Sequence, residues 1–176
     1  MKRNLKKIGL TLLSAVSSLL LYTFLHELGH LIVMLSAGAT VTSFSILTAH
    51  VSAVGGDYTT LSSLLLHANG VILPMVAACI YMLVYRKDCQ KSFYRLFSFF
   101  VALIPTASML AWVILPFLFL QGDAPAKDDV THFLNAFGLE HFSLQVGLFA
   151  LGAIAYIALT VLSYRYACRN FERIDL

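Results

Sequence analysis

With 176 residues of which 59% are hydrophobic and 12% charged, and a mean hydropathy of +0.81, the chain carries more apolar surface than one soluble core of its size can hide. Its net charge of +3 arises from basic residues in separate clusters, which excludes a continuous nucleic-acid-binding surface and reads as membrane topology. Lipid is the expected solvent, and the bilayer rather than any nucleic acid the expected partner.

Four apolar stretches, at about 8–36, 60–85, 93–120 and 142–164, each reach the roughly 20 residues that a bilayer core requires. They predict an all-α membrane protein over 1–176, a single bundle of about four transmembrane helices with a short strand-like segment after the first. The first stretch follows Met1-Lys2-Arg3, a start shared with signal peptides, but its apolar run is too long and no small-residue cleavage pattern follows. It is expected to be retained. Basic residues cluster at Lys2, Arg3, Lys6 and Lys7, at Arg86, Lys87, Lys91 and Arg95, and at Arg165, Arg169 and Arg173. The positive-inside bias puts all three clusters, and so both termini, in the cytoplasm of a multi-pass plasma-membrane protein. Cys89 and Cys168 then lie on the reducing side and Cys79 within a helix, so no disulfide is expected.

The first helix carries His26-Glu27-Leu28-Gly29-His30. Two histidines four residues apart project from one helical face at a separation that one metal ion bridges, and the adjacent glutamate is placed to take a proton from a water that the metal polarises. This HExxH spacing is the signature of zinc peptidases. Three ionisable groups inside a spanning segment are costly unless they serve a function. The competing reading is a buried polar network joining helices.

Connection 37–59 has the residue pattern of one or two short strands around Val41 to Leu47, with Gly38 ending the first helix and Gly55-Gly56-Asp57 turning into the second. In the second helix Asn69-Gly70 and Pro74, and in the third Pro105 and Pro116, mark kinks or close packing. His67 is a further ligand or a hydrogen-bonded packing histidine. Connection 121–141 contains a short helix from Asp128-Asp129-Val130-Thr131-His132 onward, with acids where the dipole favours them and Gly138 as its stop. His132 stands three residues after Asp129 and can share its metal; His50 and His141 carry no special expectation.

The segment from His26 to Val33, with Gly38, the strand-like Val41 to Leu47 and Ala68-Asn69-Gly70-Val71-Ile72-Leu73-Pro74, resembles the site-2 protease family of membrane-embedded zinc metallopeptidases over roughly residues 20–85. The resemblance implies one zinc ion (Zn2+) per chain, His26 and His30 as ligands, Glu27 as general base, and Asn69 as the polar residue that orients substrate or supports the oxyanion. It also implies a third, aspartate ligand from a later segment. The family's Leu-Asp-Gly motif does not occur here, and the nearest counterpart is the Asp128-Asp129 element, with Asp129 favoured over Asp128. Substrates would be membrane or membrane-proximal peptides, unwound locally and paired with the strand at 41–47. The alternative is a metal-binding membrane protein without hydrolytic activity, a carrier or an inactive scaffold.

Overall fold

The computed structural model describes residues 2–86, 88–138 and 142–171. The expectations attached to Lys87, His141 and Arg173 lie outside them, as do those on the side chains of Lys2, Arg3, Cys168 and Arg169.

The chain is mainly helical, and its elements run α1 (Lys2–Ser36), β1 (Thr40–Ser45), β2 (His50–Val54), α2 (Thr60–Val84), α3 (Ser92–Ser108), α4 (Ala111–Gln121), α5 (Asp129–Phe137) and α6 (Phe142–Phe171). Among the described residues three helical segments are long and apolar enough to cross a membrane: Asn4–Ser36, Thr60–Val84 and Ser92–Gln121. The fourth expected span corresponds to α6, whose described apolar stretch, Ala150–Ser163, is shorter.

Burial is inverted relative to a soluble bundle. Leu5, Leu12, Val16, Ile80 and Leu83 are exposed, while Ser14, Ser18, Glu27, Ser98 and Thr106 are buried. Small and polar side chains thus share the helix contacts with buried apolar ones such as Leu96 and Val101, a pattern expected of helices that pack in apolar surroundings. Ser18 Oγ donates to the Phe97 carbonyl across α1 and α3 at 3.2 Å, and Thr106 and Ser163 pair across α3 and α6 at 2.8 Å.

Local chemistry accounts for the boundaries. α1 stops where Gly38 takes φ +79° and its amide turns back to the Leu35 carbonyl. The expected strand region forms an antiparallel hairpin, Thr40 opposite Val54 and Ser45 opposite His50, with an irregularity between Val41 and Ser43. Thr59 caps α2 by accepting from the Ser62 amide.

The third apolar stretch is divided where a single kinked helix was expected. Pro105 supplies no N–H for the preceding turn, and Ser108 Oγ donates to the Pro105 carbonyl at 2.7 Å, competing with the Met109 amide. The regular helical hydrogen bonding is interrupted at Met109-Leu110, both still right-handed in backbone, and α4 follows.

This break matters for the site. Val130 and Leu134 of α5, both 2% exposed, pack among Ala111, Trp112, Leu115 and Phe119 of α4. α5 is thereby held against α2 and α4, with its first turn directed at α1.

Candidate metal centre

Two glycines let α1 and α2 approach closely enough to build the centre. A Cβ on Gly29 would run into the Asn69 carbonyl, and a Cβ on Gly70 would sit 2.6 Å from His30 Nε2 and 2.7 Å from His26 Cε1. The space that Gly70 leaves is therefore the space the imidazoles occupy. Asn69 fastens the same crossing by donating from Nδ2 to the Gly29 carbonyl at 2.8 Å.

His26 and His30 project one turn apart into this gap, and Asp129 arrives from α5. His26 Nε2 and His30 Nε2 are 3.1 Å apart, and each lies 3.2 Å from Asp129 Oδ2. A tetrahedral ion bonded to imidazole nitrogen and carboxylate oxygen at ~2.0–2.1 Å holds its ligand atoms about 3.3 Å apart, so this triangle can hold a metal ion.

The hydrogen bonding agrees. His30 Nδ1 donates to the Leu66 carbonyl at 2.6 Å, which leaves a lone pair on Nε2 in the neutral ring. Two acceptors, His30 Nε2 and Asp129 Oδ2, then face each other at 3.2 Å, an arrangement that needs a proton or a cation between them. Backbone support of this kind is what a ligating histidine uses to set its tautomer. His26 Nδ1 is buried with no hydrogen-bond partner among the described residues.

Burial pushes the Asp129 carboxyl upward, but the imidazoles of His26, His30 and His67 gathered around it outweigh this and hold the group well below the usual carboxylate range. It stays ionised at neutral pH, as a metal ligand must. Glu27, 4% exposed, borders the same cavity of about 360 Å³ as His26, His30 and Asp129.

The remaining candidates separate by position. Asp128 is the N-cap of α5, its Oδ1 accepting from the Val130 amide at 2.8 Å, so its carboxylate satisfies the helix end while Asp129 reaches the histidines. His67 Nδ1 stands 3.6 Å from Asp129 Oδ1, the oxygen turned away from the triangle, and its ring stacks on His132 at 5.0 Å between centroids. His67 thus faces Asp129 from α2, and His132 of α5 backs His67. Asn69 spends one amide hydrogen on joining α1 to α2, a contact that nothing in its spacing announced.

Other residues of the cavity were not anticipated. Ala49, His50 and Val51 bring the hairpin end to its rim, with Ala49 in the left-handed region at φ +46°, and Lys127 borders it from the α4–α5 connection. Only chain reversal at the hairpin puts His50 there, so no local pattern identified it. Tyr22 could have been found: it stands one turn before His26 on the same stripe, its ring centroid 5.9 Å from that of His26. No protein-family model, curated protein or solved structure matches this chain, and its site stands on its own geometry.

Proposed function

We propose that this chain is a membrane-embedded zinc metallopeptidase of the site-2 protease type, hydrolysing peptide bonds of membrane or membrane-proximal substrates. The observation that carries the reading is the meeting of three ligand atoms, all within 3.2 Å, from an HExxH helix and a separate short helix, with the intervening Glu27 buried beside them. Two histidines and one aspartate leave a coordination position open, the composition of a catalytic rather than a structural zinc site.

Zinc bound there supplies a Lewis acid and makes a coordinated water easier to deprotonate. The chain's own residues do the rest. Glu27 takes the proton from the attacking water and returns it to the leaving amine. His30 is kept in its ligating tautomer by the Leu66 carbonyl, and Asp129 is braced by His67, on which His132 stacks. Water enters from the polar cavity bordered by Lys127 and His50. A substrate segment, unwound so that its backbone is free, pairs along the hairpin edge. The strand beside the cavity is β2, through His50 and Val51, rather than the 41–47 segment that the spacing suggested.

The membrane reading rests on the three long apolar helices and the inverted burial. With the basic clusters inside, both termini are cytoplasmic and the protein is a multi-pass component of the cell membrane.

The test is metal content and peptide cleavage measured on the purified full chain and three variants. Wild type and Asp128→Ala are expected to hold about one zinc per chain, and His26→Ala and Asp129→Ala to lose it. A wild type that holds zinc but cleaves no transmembrane peptide would leave a non-hydrolytic metal protein, and one that holds no zinc would end the proposal.

A further inference from the structure

Besides the polar cavity, α1, α2 and α3 line a partly open apolar one of about 270 Å³, walled by Tyr22, Leu25, Pro74, Ala78, Val101 and Pro105. Helix interfaces leave few voids larger than a water molecule, and an apolar cavity of about 150 Å³ is already large enough to take up benzene. The polar groups at its edge are occupied elsewhere: Ser18 Oγ donates to the Phe97 carbonyl, and the Tyr81 hydroxyl pairs with Ser98 Oγ at 2.6 Å. An apolar group can therefore enter without stranding a donor or acceptor.

Its position relative to the metal centre is set twice over. Along α1, Tyr22 of the cavity wall precedes His26 by one turn. Along α2, Pro74 of the wall follows Gly70, the residue that faces both imidazoles, by one turn. Tyr22 and Pro74 thus lie about 6 Å along the axis from the centre, at ~1.5 Å rise per residue, and Leu25 closer still. That is within reach of a side chain whose backbone lies at the metal. The polar cavity opens on the other side, toward His50 and Lys127.

We infer that this apolar cavity is the specificity pocket of the centre, receiving a large apolar or aromatic substrate side chain next to the bond that is cut. The inference rests on the metallopeptidase reading and adds the substrate class to it. Water and substrate then approach from opposite sides: the polar cavity admits the nucleophile, and the apolar one holds the side chain that positions the peptide.

The experiment pairs two membrane peptides differing only in Phe or Ala beside the cleaved bond, presented in detergent micelles. Cleavage is measured with the otherwise native chain, and equilibrium binding with Glu27→Gln, which cannot turn the peptides over. The native chain is expected to prefer Phe by about tenfold or more in kcat/KM, a usual discrimination for an apolar pocket, with the same order in Kd. Ala78→Leu, which fills the cavity from α2, is expected to lower the Phe/Ala ratio at least about tenfold. Val101→Ala, which enlarges it from α3, is expected to lower the Phe/Ala ratio by loosening the fit around Phe. Zinc content checks that each variant is folded. A Phe/Ala ratio near one in the native chain, or one that neither variant moves, overturns the pocket while leaving the metallopeptidase reading intact. So does loss of a co-purified lipid on filling with no change in ratio, which would make the occupant an acyl chain. A native chain that cleaves neither peptide overturns the underlying reading instead.

Discussion

The two halves of α1 bury polar groups in the same inverted way, yet to different ends. In the N-terminal half Ser14 and Ser18 are 0% and 2% exposed while Leu12, Leu13 and Val16 face outward. Ser18 finds one backbone carbonyl of α3. In the C-terminal half Glu27 and His30 are 4% and 7% exposed, and nitrogen and oxygen atoms from α1 and α5 close on a single point. Buried polarity alone reports a contact between helices. Convergence of several ligand atoms on one point reports chemistry.

The comparison is broken most severely at Glu27. Glu27→Gln keeps the shape and the hydrogen-bonding reach but removes the base, and cleavage is expected to fall by roughly 10²–10⁴-fold while zinc stays bound. Undiminished cleavage by a zinc-loaded variant would return Glu27 to the status of a helix-joining polar residue like Ser18.

Gly70→Ala acts on the space rather than on the ligands. Its Cβ would sit 2.6 Å from His30 Nε2, so α2 must move or the rings must turn. Overpacking of this kind costs about 1–3 kcal/mol, and weakened zinc retention in a chelator competition is the expected result. Gly147, around which no atom lies within 4 Å of an added Cβ, is the matched control, and Gly147→Ala is expected to leave retention unchanged.

Asp128→Ala and Asp129→Ala sharpen the distinction between neighbours. The first removes a helix cap, expected to cost about 1 kcal/mol in stability with zinc retained. Unfolding in a denaturing detergent together with metal analysis separates it from the second, which removes a ligand. Zinc loss from Asp128→Ala equal to that from Asp129→Ala would show that the cap, not the ligand, governs the centre.

The smallest effect belongs to the N-terminal half. Ser18→Ala deletes one interhelical hydrogen bond and is expected to cost about 0.6 kcal/mol, typical for such bonds between membrane helices. Peptide cleavage should be unchanged, and a large loss would mean that this half of α1 is coupled to the centre.

Much of the architecture was legible because it follows from local rules. The helix stops at Gly38 and Gly138, the hairpin between α1 and α2 and the short helix after Asp128 follow from glycine, capping and alternation signals that act over a few residues. The division of the third apolar stretch was only half visible. Pro105 advertised a kink, but the break at Met109-Leu110 also depends on Ser108 competing for the Pro105 carbonyl.

By itself the sequence determined the pairing of His26 with His30 and the placing of Glu27 beside them, since a helix of fixed pitch puts residues four apart on one face whatever surrounds it. The sequence favoured Asp129 over Asp128, but only tertiary structure brings it to the two rings: Asp128 stays outside the helix as its extended N-cap, and Asp129, the first helical residue, reaches them. The direction in which α5 points is set by Val130 and Leu134 docking among side chains of α4. It alone also brought His50 to the rim and left the apolar cavity beside the centre, since both arise from the spacing of elements far apart in the chain.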